Sequence, residues 1–107
     1  MRAWLIAALA MELMAAPSFA RDTDANICTN AKDNDKRIAA CTRVLSTPLS
    51  VSNQADNGNV YNDRANAHIN KGEYDQAIAD YDQALKINLK NEVFYENRGN
   101  AYFNKGD

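Results

Sequence analysis

Two cysteines and one histidine are the side chains of this sequence best suited to covalent or metal chemistry. Cys28 and Cys41 lie 13 positions apart, without the close spacing of a redox pair or a zinc-binding motif, and His68 is the only histidine. No serine–histidine–aspartate arrangement, glycine-rich phosphate loop or paired-carboxylate motif accompanies them. The sequence therefore predicts no enzyme activity, no cofactor and no metal site. A disulfide or two buried free thiols remain as roles for the cysteines.

The composition is that of one small folded domain. The 107 residues are 24% charged and 46% hydrophobic. Twelve Lys and Arg residues are interspersed with fourteen Asp and Glu residues, and no basic block stands out. We therefore expect no nucleic-acid partner.

Residues 1–20 have the pattern of a signal peptide. Arg2 gives a positively charged start, an apolar run follows, and small residues precede a cleavage position after Ala20. Glu12 interrupts the apolar run, which argues against a permanent membrane anchor. An N-terminal helix buried in the domain is the alternative. The pattern predicts a periplasmic or secreted protein, a setting in which an even number of cysteines favours a disulfide.

The segment 61–73 recurs at 95–107, with a period of 34 residues. Seven of the thirteen positions are identical, and the others largely keep their size: Tyr61/Tyr95, Arg64/Arg98, Asn66/Asn100, Ala67/Ala101, Asn70/Asn104, Lys71/Lys105 and Gly72/Gly106 are the identical pairs. Large and small apolar residues recur at helical spacing before and after Gly72, a residue type that commonly follows a helix end. Two amphipathic helices are predicted, over about residues 59–72 and 75–88.

This unit resembles the tetratricopeptide-repeat family in period and in residue pattern. The family's large, small and aromatic positions are occupied, in order, by Tyr61, Arg64, Ala65, His68, Ala77 and Tyr81. Arg64 stands where the family usually has leucine, and Leu89 stands where it has a helix-ending proline. The resemblance implies an all-α fold of antiparallel helical hairpins stacked as a short solenoid. It also implies a packing role for His68 and a binding function without catalysis.

The resemblance divides the chain into five segments. Residues 38–45 match 78–85 at an offset of 40, so a degenerate repeat precedes the clear one, and six additional residues fit a polar loop. The predicted segments are a signal peptide at 1–20, a degenerate first hairpin at 21–45, a loop at 46–58, a repeat at 59–92 and the first helix of a truncated further repeat at 93–107.

The offset of 40 also aligns the two cysteines with positions of the clear repeat. It places Cys28 on His68 and Cys41 on Tyr81, two positions whose side chains pack against each other in the family. The resemblance therefore favours a Cys28–Cys41 disulfide, which would replace the aromatic packing that the degenerate hairpin lacks.

One face of the first helix in each clear repeat carries asparagines. In the family this face lines a groove that holds extended peptides, and a carboxamide can both donate to and accept from a peptide main chain. A merely solvated face is the alternative. The residues predicted to contact a protein or extended peptide of unknown identity are Asn62, Asn66, Ile69, Asn70, Glu96, Asn100 and Asn104.

Some family members clamp the C-terminal carboxylate of their ligand. Asn66 and Asn97 match the two asparagines of that clamp, but Asn62 stands where those members have lysine. A carboxylate clamp is therefore not expected.

The sequence stops after the first helix of its last repeat. Because a repeat buries its apolar face only against its neighbours, we expect part of the stripe formed by Tyr95, Tyr102 and Phe103 to be exposed. Such a stripe fits either self-association or a fragment of a longer protein of this family.

Overall fold

The computed structural model describes residues 17–47 and 54–106, and all five elements in these ranges are α-helices. Most of the predicted signal peptide, residues 1–16, lies outside the described residues. Among the described residues, no helix has the length and apolar content needed to cross a membrane. The helices are α1 (Pro17–Asn30), α2 (Asn34–Ser46), α3 (Gln54–Asn70), α4 (Tyr74–Ile87) and α5 (Glu92–Lys105). The all-α class is confirmed.

Local capping explains several helix ends. The side chains of Asp33 and Asn91 each accept a hydrogen bond of 3.1 Å from a backbone N–H in the first turn of α2 and α5. Gly72 and Gly106 follow α3 and α5 with φ angles of 75° and 97°, a left-handed conformation that glycine adopts without steric cost. The predicted end of the first repeat helix at Gly72 is therefore confirmed within two residues.

The helices pack as a stack of hairpins in which each helix contacts its neighbours in the chain. Helices α1 and α2 form one hairpin, α3 and α4 form the next, and α5 packs on α4. Among the described residues, the core is divided into three small clusters between these helices. Their buried members are Cys28, Ala40 and Cys41 in the first cluster, Ala65, Ala77, Ile78, Tyr81 and Ala101 in the second, and Ala84, Leu85 and Phe94 in the third.

A disulfide joins Cys28 of α1 to Cys41 of α2, as predicted. Both cysteines are buried, with 1% and 0% of their surface exposed. Partly buried Ile27 and Val60 pack against this cluster, so the bridge lies where the first hairpin meets α3. It supplies a covalent link in the hairpin that has the smallest side chains at its centre.

Helix α3 begins earlier than the sequence predicts. The sequence assigns residues 54–58 to the end of the loop 46–58, but in the structure they form the first turn and a half of α3. Gly58 is buried, and a Cβ atom there would lie 3.4 Å from the Phe94 ring and 3.5 Å from an Ile87 methyl group. The glycine therefore lies inside α3, where a methyl group would be at the close limit of ordinary van der Waals contact with α4 and α5, and it does not make a turn.

Candidate functional site

Four of the predicted contact residues meet at one cavity. The cavity measures about 290 Å³ and lies between α3 and α5, with α4 beneath it. We call this surface the amide groove. Its lining residues are Asn66, Ile69, Tyr81, Asn97, Asn100, Ala101 and Asn104. The structure thus brings together Asn66, Ile69, Asn100 and Asn104 and adds Tyr81, Asn97 and Ala101.

The other three predicted residues do not line the cavity. Asn62 lies one turn before Asn66 on α3 and accepts a hydrogen bond of 3.0 Å from the Nδ2 of Asn97, so it holds a lining residue from beside the cavity. The Nδ2 of Asn70 donates to Asn34 at the start of α2, over 3.2 Å, so Asn70 links two hairpins. Glu96 is exposed on α5, away from the cavity lining.

Tyr81 forms the floor of the groove. Its side chain is 1% exposed, and its hydroxyl donates to the Oδ1 of Asn66 over 2.5 Å. Burial, with a further contribution from the Asp80 carboxylate, raises the pKa of Tyr81 to about 12. The hydroxyl therefore keeps its proton, and remains a donor, throughout the physiological pH range.

Behind the groove, Arg64 and Asp80 form a buried ion pair between α3 and α4. The two guanidinium nitrogens lie 2.9 and 2.6 Å from the two carboxylate oxygens, and Asp80 is only 5% exposed. A third nitrogen of Arg64 donates to Thr42 of α2 over 3.1 Å. Hydrogen bonding to Asp80 raises the pKa of Arg64. This pairing explains why an arginine occupies a position that is usually leucine in the repeat pattern.

His68 lies at the turn between α3 and α4 and contacts two carboxylates. Its Nδ1 is 2.9 Å from Glu73, and its Nε2 is 3.8 Å from Asp80. The hydrogen bond from His68 is the main cause of the lowered pKa of Glu73, and Lys71 adds to the effect. The side chain is mostly buried, as its expected packing role requires, and it also bonds to the turn. No group of three potential metal ligands occurs in the described part of the chain.

The 34-residue period extends to side-chain contacts. Arg64 lies over the ring of Tyr61 at 5.6 Å, and Arg98 lies over the ring of Tyr95 at 5.4 Å. Arg98 also pairs with Asp82 of the preceding helix at 2.8 Å, as Arg64 bonds to Thr42. The α3–α4 hairpin and α5 therefore share a register in both sequence and structure.

The segment that carries these residues matches a known protein family. A family model described as TPR repeat matches residues 58–106. Residues 58–106 belong to the tetratricopeptide-repeat family. The tetratricopeptide match covers α3 from Gly58, together with α4 and α5, and leaves the disulfide-linked hairpin outside it. No curated protein and no solved structure matches the chain significantly.

A second surface, formed by α4, α5 and the loop between them, carries exposed large apolar side chains. Leu89 is 69% exposed and Phe103 is 81% exposed, while Tyr95 and Tyr102 are about half as exposed as Phe103. A cavity of about 440 Å³ lies beside Leu89, Tyr95 and Arg98. The expected exposure of the aromatic stripe on α5 of this tetratricopeptide repeat is confirmed. We call this surface the α4–α5 face.

Proposed function

We propose that this tetratricopeptide-repeat protein is a non-catalytic scaffold that binds an extended segment of another protein in the amide groove. One observation carries the proposal: four asparagines, from two helices, line the same cavity. A cavity of about 290 Å³ is at the lower limit of the roughly 300–1,000 Å³ typical of small-molecule sites. A groove of this size suits one short stretch of main chain.

The side chains of the groove favour this partner over a merely solvated face. The side-chain amides of Asn100 and Asn104 make no hydrogen bond to another described residue, whereas their repeat equivalents, Asn66 and Asn70, do. They therefore keep both donors and acceptors for a ligand. Ile69 and Ala101 add an apolar wall, and none of the lining residues is charged. These features match the uncharged, alternating donors and acceptors of a peptide main chain.

The proposed location is the periplasm or the outside of the cell. The signal-peptide pattern of residues 1–20 and the buried disulfide both support an oxidising compartment. N-terminal sequencing of the protein recovered from cells should begin at Arg21. Recovery of an intact Met1 from a cytoplasmic fraction would contradict this location.

A random library of linear peptides, displayed on phage, tests the binding function directly. We expect selection to enrich peptides that bind the purified protein, and a variant with Asn100→Ala and Asn104→Ala to bind them at least about tenfold more weakly. The matched control replaces Gln83 and Lys86, which line the other cavity, with alanine. Equal losses in both variants, or no enrichment at all, would contradict the proposal.

Self-association is the second candidate function, and the α4–α5 face supports it. Large apolar side chains are exposed along α5 and in the loop before it, and exposed side chains of this kind are typical of protein interfaces. Sedimentation of the wild-type protein should then show a concentration-dependent dimer, which Phe103→Ser converts to a monomer. A wild-type monomer at every concentration would exclude this candidate and leave the amide groove as the binding surface.

A further inference from the structure

We infer that Tyr81 is a positioning residue of the amide groove: it turns the carboxamide of Asn66 so that the Nδ2 faces the cavity and donates to a main-chain carbonyl of an extended peptide. The inference rests on the proposed function and adds which partner donates the hydrogen bond between Asn66 and the peptide. Tyr81 itself stays beneath the groove and acts through Asn66.

The direction of the Tyr81–Asn66 hydrogen bond follows from burial. A tyrosine hydroxyl has one proton, and the side chain of Tyr81 is 1% exposed, so this proton needs an acceptor within the protein. The Oδ1 of Asn66 is at 2.5 Å. If the carboxamide were reversed, its Nδ2 would donate to the hydroxyl, and the buried hydroxyl proton would lose its partner. The raised pKa of Tyr81 keeps that proton in place.

Fixing the Oδ1 also fixes the Nδ2 of Asn66. In a planar carboxamide the oxygen and nitrogen point to different sides of the carbon that joins them, so one bond sets the direction of both. Asn66 is partly buried and lines the cavity. Its two N–H groups are therefore available on the α3 wall of the groove.

A second hydrogen-bonded amide stands on the α5 wall. The Nδ2 of Asn97 donates to the Oδ1 of Asn62 over 3.0 Å, which leaves the Oδ1 of Asn97 as an acceptor. The groove thus presents a donor from α3 and an acceptor from α5. An extended peptide offers a carbonyl and an N–H from its main chain to match them, whatever its side chains are.

The first test uses a linear peptide selected from the random library and measures its dissociation constant. Tyr81→Phe keeps the ring and removes the hydroxyl, so it should weaken binding about 3- to 10-fold, the range for losing one well-positioned hydrogen bond. Tyr95→Phe is the matched control, because that side chain is 45% exposed and does not line the groove. It should leave the affinity unchanged.

A second variant reverses the polarity of the contact without removing the support of Tyr81. Asn66→Asp still accepts from the tyrosine hydroxyl but presents an oxygen to the ligand, so it should lose at least as much affinity as Tyr81→Phe. Asn104→Asp places the same charge in the same cavity and should lose less. If the two aspartate variants bind equally, charge alone explains the loss and the inference is wrong.

Replacing the amides of the selected peptide one at a time with esters separates positioning from a general structural effect. An ester carbonyl is a weaker acceptor, so one replacement should weaken binding to the wild-type protein and have little further effect on Tyr81→Phe. Equal sensitivity of both proteins to every ester would overturn the inference, while the proposed function would stand. If no peptide of the library binds the protein, both the inference and the proposed function are wrong.

Discussion

Replacing Asp80 with alanine tests how far the buried ion pair stabilises the α3–α4 hairpin. In the folded protein, both carboxylate oxygens of Asp80 bond to Arg64, and its side chain is only 7% exposed. The substitution removes the anion and leaves the guanidinium group facing the hairpin interior. A charge left in that position without a counter-ion is the main source of the expected loss.

The size of the expected loss in the free energy of unfolding follows from the burial of the ion pair. Removing one partner of a fully buried ion pair costs about 3–5 kcal/mol. Arg64 is 21% exposed and regains some water, so we expect a loss of about 2–3 kcal/mol in the free energy of unfolding. Asp82 provides the matched control, because it pairs with Arg98 through one bond of 2.8 Å near the surface. The side chains of Asp82 and Arg98 are 42% and 33% exposed. Asp82→Ala should cost at most about 1 kcal/mol.

Thermal and urea denaturation, followed by far-UV circular dichroism, measure both variants. In a domain of this size about 1 kcal/mol corresponds to roughly 4–8 °C, so Asp80→Ala should melt about 10–20 °C below the wild type. Combining it with Arg64→Leu removes the unpaired charge and should recover part of the loss. Equal losses for Asp80→Ala and Asp82→Ala, or a double variant that is merely additive, would refute this reasoning.

Three further predictions concern the cysteines, a tyrosine and two glycines. Replacing Cys28 and Cys41 with serine should lower the free energy of unfolding by about 3 kcal/mol, and an unchanged urea midpoint would contradict this. Because burial raises the pKa of Tyr81 to about 12 in the folded protein, its contribution to stability persists below about pH 10 and is lost as pH rises through about 12. Phenolate absorbance should include a transition near this pH, which Tyr81→Phe removes. Gly99→Ala should stabilise α5 by about 0.5–1 kcal/mol, since the added methyl group meets no atom within 4 Å, and Gly58→Ala should gain less in the same melting assay because its methyl group meets two neighbouring helices.

The hairpins and the disulfide could be predicted because their signals are local or periodic. Helical spacing and a left-handed glycine specify a helix and its end within a few residues of sequence. Once the offset of 40 aligned the first hairpin with the clear repeat, the resemblance to the family implied that Cys28 and Cys41 face each other. Three of the four asparagines that line the groove, Asn66, Asn100 and Asn104, belong to pairs that recur with the period of 34, whereas Asn97 does not.

The features that the sequence did not predict depend on contacts between residues that are distant in the chain. An Asn-Gly pair such as Asn57-Gly58 is typical of a turn, and its position inside α3 depends on the packing of Gly58 against α4 and α5. Asp80 is one acid among several on α4, and its burial depends on Arg64 across the hairpin. The support of Asn66 by Tyr81 likewise needs the hairpin geometry, because an aromatic residue at that position is expected from packing alone.

The division of the core into three clusters affects how the protein unfolds. Each cluster lies between adjacent helices. The free energy of unfolding is therefore approximately a sum of the stability of each helical unit and the contact energy between neighbouring units, as in a one-dimensional Ising chain. The covalent link constrains only the α1–α2 end, and α5 packs mainly on α4. Amide hydrogen exchange should then be slowest near Cys41 and fastest in α5. Under such a gradient, opening of the α5 side of the amide groove precedes global unfolding, and ligand binding is coupled to the closing of one helix.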